Sequence, residues 1–178
     1  MKLVVGLGNP GKEYENTRHN VGFMAIDHYL SNIKYKKKNN GYYYYDNKTD
    51  TIYLKPLSYM NESGSVVKKY CDYFKIKIED VLIIYDDMAF PLGNLKIKPS
   101  GSSGGHNGMK NIIEQLKSEN IKRIRIGISK TEYDKVKYVL GHFTQEEKKV
   151  LNESLEKVNE ILDEYHMIDF QQLMNKYN

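Results

Sequence analysis

Val81-Leu-Ile-Ile-Tyr85 runs directly into Asp86-Asp87. Five apolar or aromatic residues in an unbroken run, with no period-two alternation, describe a strand buried on both faces. Such a strand needs helices on both sides, so the reading starts from an α/β fold and works outward. Residues 2–7 form a second short β-rich run ending in glycine, and residues 123–128 alternate, with Ile124, Ile126 and Ile128 opposite Arg123 and Arg125. Residues 42–46 and 51–55 read as paired strands broken at Asp46-Asn47-Lys48, and Pro56 ends the second. In residues 94–98, Leu95 and Ile97 face one way and Lys96 and Lys98 the other. Helical spacing covers about Asn20 to Leu30, then Ser58 or Glu62 to Phe74, then Asn107 to Leu116 after a Gly/Ser loop at 100–105. Thr144-Gln-Glu-Glu147 is a capping box, and Leu151, Leu155, Val158, Leu162 and Tyr165 follow it as a core stripe. Strands and helices interleave. The expected fold is a three-layer α/β/α arrangement around a central mixed, mostly parallel sheet, in one domain spanning residues 1–178.

The bulk composition bounds the function loosely. A chain of 178 residues is long enough for one real core. The formal charge of +4 suits a nucleic-acid partner without requiring one. The one cysteine, Cys71, lies among Val67, Tyr70 and Phe74 in a helical stretch and reads as a small buried hydrophobe. The apolar run after Met1 is too short for a signal sequence or a membrane span. A cytoplasmic, soluble protein is expected.

Gly6-Leu-Gly8-Asn-Pro-Gly11 matches the dinucleotide fingerprint in spelling. In that fingerprint the third glycine opens a helix. Here Pro10 precedes it, and helical periodicity begins only after Arg18-His19. Asp27, at the distance of a ribose-binding acid, falls inside a helix. The glycines read better as a tight turn beside a site.

Among the five histidines, His28, His142 and His166 read as structural or solvated, and no two histidines show metal-ligand spacing with a carboxylate. His19 lies in a polar loop after the first strand, where α/β folds place their sites. His106, in the Gly-rich loop, reads first as a backbone anchor. Asp86 and Asp87 end the buried strand, where a carboxylate can fix the tautomer of a histidine. Neither a serine elbow nor an activated cysteine is present, so direct attack by water with His19 as base is the simplest scheme. Asn9, Asn61 and Asn107 each sit at an element boundary, and a carboxamide can grip a peptide backbone or a developing oxyanion without titrating.

Four segments together resemble the bacterial peptidyl-tRNA hydrolase family. They are Val5-Gly-Leu-Gly-Asn-Pro-Gly11; Tyr14-Glu-Asn-Thr-Arg-His-Asn-Val-Gly22; Lys55-Pro-Leu-Ser-Tyr-Met-Asn-Glu-Ser-Gly64; and Tyr85-Asp-Asp with Gly101-Ser-Ser-Gly-Gly-His-Asn-Gly108 and Arg123-Ile-Arg-Ile-Gly127. The resemblance runs from Lys2 to about Tyr165. It implies a phosphorylase/hydrolase-like fold and hydrolysis of the ester joining a peptide to the 3′ end of tRNA. It further implies His19 as catalytic base, Asp86 as its partner, and Asn9, Asn61 and Asn107 lining the cleft. Tyr14 and Met60 would shape the pocket near the tRNA 3′ end, and Lys98 and Arg125 would recognise the 5′ phosphate. The implied enzyme is a monomer without cofactor, metal, membrane or obligate protein partner. It acts on peptidyl-tRNA through the acceptor stem, the 3′ end and the 5′ phosphate. Three positions depart from the family pattern. Ala89-Phe90 stand where an acid and a leucine are usual, Ser58 where threonine is usual, and 129–134 lack an expected proline. A non-hydrolytic RNA-binding relative and a peptidase or amidase are the competing readings. The first would not need the intact His19, Asp86 and asparagine set, and the second would not need Lys98 and Arg125.

Overall fold

The structure is a computed structural model describing all 178 residues. Its strands are β1 (Lys2–Gly6), β2 (Lys36–Lys38), β3 (Gly41–Asp46), β4 (Thr51–Pro56), β5 (Val81–Asp87), β6 (Leu95–Lys98) and β7 (Lys122–Gly127). The helices are α1 (Val21–Tyr29), α2 (Ser63–Phe74), α3 (Asn107–Leu116), α4 (Lys135–Val139), α5 (Gln145–Glu164) and α6 (Phe170–Tyr177). All seven strands join one sheet in the order β2-β3-β4-β1-β5-β7-β6. The middle four strands are mutually parallel, and β3 and β6 run against their neighbours. The sheet is therefore mixed and mostly parallel, as expected.

The unbroken apolar run in β5 has the expected cause. Leu82 and Ile84 enter one core with Val4, Ala25, Ile26, Leu155 and Val158, under α1 and α5. Val81, Ile83 and Tyr85 enter a second core with Leu3, Val5, Val67 and Met109, under α2 and α3. Each fully buried aliphatic side chain contributes roughly 1.5–3 kcal/mol, and both faces of β5 collect it.

Several elements differ from the sequence reading. Edge strand β2 is Lys-Lys-Lys, which carries no apolar signal, because pairing to β3 alone defines it. Short α4 buries no residue and is set by its Asp134 cap. Helix α6 starts at an Asp169/Gln172 capping box and buries only Leu173. Helix α2 begins at Ser63, after a tight turn over Met60–Glu62. Arg123 does not share a solvated face with Arg125: it is 1% exposed. Its guanidinium donates to the carbonyls of Ser102, Ile121 and Glu119, anchoring the Gly/Ser loop from beneath.

The glycines near the amino terminus let α1 lie directly on the strand backbone. A Cβ at Gly22 would meet Ile84 O at 2.4 Å, Leu7 N at 2.4 Å and Leu7 O at 2.6 Å. These are main-chain atoms of β5 and of the extension of β1, so nothing flexible can give way. Gly22→Ala is expected to lower stability by about 3 kcal/mol or more. Urea denaturation checks this, and an unchanged midpoint would show that the helix can lift away freely.

Candidate active site

The carboxyl ends of β1 and β5 lie side by side, and the chain after each supplies the site. β5 ends in Asp86-Asp87, and Asp86 is 4% exposed. The turn leading into α1 brings His19 against it, with His19 Nδ1 at 2.9 Å and 3.0 Å from the two carboxylate oxygens. The Gly/Ser loop brings His106 from the other side, with Nε2 at 2.8 Å from Asp86 Oδ1. The two imidazole centroids are 4.8 Å apart.

The partners of the ring nitrogens fix the tautomers. His19 Nδ1 donates to the carboxylate, so in the neutral ring Nε2 is the unprotonated, basic nitrogen. His106 Nδ1 accepts from the Met109 N–H at 3.1 Å, so its proton sits on Nε2 and points at Asp86. Burial alone would raise the Asp86 pKa. The neighbouring His106 and His19 outweigh it and hold the carboxyl well below the usual carboxylate range. His106 is thus both the backbone anchor read from the sequence, as N-cap of α3, and a second donor to Asp86. Nothing in its loop sequence carried that second role. The fold also brings ligand-type atoms of His19, Asp86 and His106 within 4.8 Å of one another, a convergence invisible in the sequence spacing. Here those atoms are joined to one another by hydrogen bonds.

Asn9 is 7% exposed and held from two sides. Its Oδ1 accepts from the Met60 N–H at 2.8 Å, which leaves its NH₂ group as the free donor. The main chain of Asn9 is gripped by the carboxamide of Asn20. Asn20 Oδ1 accepts from Asn9 N at 2.8 Å, and Asn20 Nδ2 donates to Asn9 O at 2.9 Å. Asn20 therefore does not cap α1 through its side chain. It completes the turn as a neighbouring strand would, a role the sequence reading missed because asparagine before a helix has an obvious local use. Met60 is buried, and a Cβ at Gly108 would lie 2.5 Å from its Sδ. Gly108 is thus the opening that lets the Met60 turn meet α3.

Asn61 and Asn107 are both exposed, beside Met60 and at the first turn of α3 respectively. Two clefts flank the site. One of about 490 Å³ is lined by His19, Asp86, Asp87, His106, Asn107 and the α4 segment. The other, about 580 Å³, is lined by Asn9, Asn16, Asn20, Phe23, Lys37 and Lys55 among others. Asn61, Tyr14, Met60, Lys98 and Arg125 line neither. Tyr14 stands edge-on to Tyr59, 6.4 Å between centroids. Arg18, next to His19, bonds Glu147 at 3.0 Å and lies 4.3 Å from the Tyr138 ring, tying the His19 turn to α4 and α5.

Lys98 is exposed on β6, and Arg125 lies on β7. Arg125 is directly opposite Lys96, and Lys98 is opposite Arg123, so all four cations share one sheet face. Lys96 was not singled out from the sequence, although its alternation with Ile97 places it beside Lys98. Arg125 Nε lies 2.9 Å from Asp87 Oδ2. Buried Cys71, by contrast, is far from reactive: burial raises its thiol pKa to about 11.

An imidazole oriented by a buried carboxylate, with carboxamides beside it at the carboxyl ends of central strands, defines a water-activating hydrolase type of cleft on an α/β scaffold. The comparisons with known proteins specify this further. Residues 3–178 match the peptidyl-tRNA hydrolase family. The peptidyl-tRNA hydrolase of Metamycoplasma arthritidis is 46% identical over 181 residues, covering 100% of this chain and 98% of that one. That of Bacillus cereus strain Q1 is 46% identical over 185 residues, covering 100% of both. The crystal structure of the Acinetobacter baumannii peptidyl-tRNA hydrolase, 30% identical, superposes with a TM-score of 0.93 over 100% of this chain and 94% of that one. The chain belongs to the peptidyl-tRNA hydrolase family. No helix is long and apolar enough to cross a membrane.

Proposed function

We propose that residues 1–178 act as one domain that hydrolyses the ester between a peptide and the 3′ oxygen of tRNA, by attack of water with His19 as base. The observation that carries the mechanism is the His19–Asp86 contact at 2.9 Å, which leaves Nε2 of the neutral imidazole unprotonated. His19 Nε2 takes a proton from water as the oxygen bonds to the ester carbon. The carbonyl oxygen becomes an oxyanion, for which the free NH₂ of Asn9 and the carboxamide of Asn107 are the nearby neutral donors. The tetrahedral centre collapses, the bond to the 3′ oxygen breaks, and the imidazolium returns its proton to that oxygen. The products are tRNA with a free 3′ hydroxyl and a peptide carboxylic acid, which ionises by releasing its proton to solvent. Asn61 holds the peptide backbone, and Tyr14 and Met60 shape the pocket near the 3′ end. The enzyme works in the cytoplasm as a monomer, without cofactor or obligate protein partner.

Incubation with N-acetylated aminoacyl-tRNA tests this reading. Release of free tRNA is expected to continue in the presence of a chelator and to be much slower when the α-amine is free. The second expectation follows from the carboxamides of Asn9, Asn16 and Asn20 in the larger cleft, which suit a peptide bond better than an ammonium group. Abolition by chelator with recovery on adding zinc would overturn the metal-free scheme. Equal rates on blocked and free substrates would overturn the peptide specificity.

Lys98 and Arg125 grip the 5′ phosphate of the acceptor stem in this reading. Their loss is expected to raise KM for full tRNA with kcat much less changed. Each lost phosphate contact should flatten the log–log salt dependence of binding by about 0.7–0.9. Lys98→Ala and Arg125→Ala are to be assayed on peptidyl-tRNA with and without its 5′ phosphate. An equal loss on both substrates would show that the clamp does not exist.

A further inference from the structure

We propose that Phe90 is a positioning residue that presents Arg125 to the tRNA 5′ phosphate and so helps set specificity for a phosphorylated 5′ end. The inference rests on the clamp proposed above. Phe90, with Ala89, makes up one of the three departures from the family pattern noted in the sequence.

The geometry is that of a cradle. The Arg125 guanidinium carbon lies 4.7 Å from the centroid of the Phe90 ring, within cation–π range. Asp87 Oδ2 sits 2.9 Å from Nε, although the Nε–H makes no geometrically proper hydrogen bond along that contact. Asp87 is itself held, because its Oδ1 accepts from the Ala89 N–H at 2.8 Å. Asp87 thus stands beside Nε and the Phe90 ring beside the guanidinium carbon, and neither contact is made by the terminal Nη1/Nη2 fork. That fork is the part of arginine that meets a phosphate with two parallel hydrogen bonds.

The platform is rigid. The Phe90 carbonyl accepts from Ser129 N at 2.9 Å, and a Cβ on Gly127 would lie 2.9 Å from Phe90 Cβ, so the turn is pressed against the end of β7. Lys96 Nζ is 5.8 Å from the centroid of the same ring, so one aromatic ring lies near two cations of the basic row. An aromatic platform orients a cation without cancelling its charge, which a second carboxylate would do. Leucine would fill the same volume but has no π face. Ala89, exposed and uncharged, adds no competing anion.

The test uses Phe90→Ala, Phe90→Leu and Phe90→Tyr beside Arg125→Ala, assayed on peptidyl-tRNA with and without its 5′ phosphate, with folding checked by thermal melts. Phe90→Ala and Phe90→Leu are expected to raise KM about two- to five-fold on the phosphorylated substrate, the size of an exposed cation–π contact. They should be near neutral on the dephosphorylated one, with kcat kept on both. Phe90→Tyr, which retains the π face, should behave as the parent. If Arg125→Ala distinguishes the two substrates and Phe90→Ala and Phe90→Leu do not, the role of Phe90 is refuted while the clamp stands. Normal behaviour of Phe90→Leu with failure of Phe90→Ala would show that bulk alone matters, again refuting it. If Arg125→Ala fails to distinguish the substrates, the clamp falls and this inference with it.

Discussion

His19→Ala is expected to lower kcat by roughly 10²–10⁴-fold, the usual worth of a positioned general base. Only His19 can serve, although two imidazoles share Asp86. His106 spends both ring nitrogens on the protein, Nδ1 on Met109 N–H and Nε2 on the carboxylate. It cannot take a proton from water without giving up one of those bonds. His19 spends only Nδ1. The measurement is single-turnover hydrolysis of N-acetylated aminoacyl-tRNA at saturating enzyme, with a thermal melt to confirm folding. A folded His19→Ala enzyme with near-normal kcat would refute the mechanism.

Asp86→Asn is expected to cost about 10²-fold in kcat, less than His19→Ala, because the base remains but its orientation does not. The asparagine carboxamide offers one acceptor atom where the carboxylate offers two. One imidazole would then face an NH₂ group and would have to turn or change tautomer. The same substitution bears on acid stability. The Asp86 pKa is depressed in the folded protein by the two histidines, despite burial. A depressed carboxyl contributes stability that is fully present above the unfolded value, about 3.9. That contribution is lost as pH falls through the folded value. The parent should therefore lose urea stability as pH drops below about 4, and Asp86→Asn should show a shallower loss over that window. Identical pH profiles for the two would mean that Asp86 is not ionised between the imidazoles.

Some of this was written plainly in the chain and some was not, for physical reasons. The β5 run announced a doubly covered strand, because each of its residues has an apolar neighbour layer to enter. The α5 start was equally legible, because a capping box is a local device: Thr144 and Glu147 bond each other's backbone as read. The β2 strand was not legible, since pairing with β3 is a long-range event that three lysines do not encode locally. The burial of Arg123 was not legible, because alternation tells which residues share a face but not what covers that face. Here the covering includes the Gly/Ser loop, and the carbonyls of Ser102, Glu119 and Ile121 receive the guanidinium. That His19 and Asp86 meet was foreseeable, because each stands at a strand or helix boundary with chemistry to match. The second role of His106 and the grip of Asn20 on Asn9 were not, because each depends on contacts between segments far apart in sequence.

The main-chain contacts of Gly22 have a consequence for how this scaffold can drift. His19 lies three residues before the glycine, and Asp86 lies two residues after Ile84, whose carbonyl the glycine touches. His19 and Asp86 are therefore registered to each other through backbone surfaces, not through the shapes of apolar side chains. Exchanges between leucine, isoleucine and valine in either core can accumulate without shifting that register, provided total volume is kept. A site geometry insulated in this way from the composition of the interior can outlast extensive sequence divergence. The Acinetobacter baumannii structure, at 30% identity and a TM-score of 0.93, fits a scaffold with that latitude. In such a molecule the His19–Asp86 pair sets few constraints on the composition of the core.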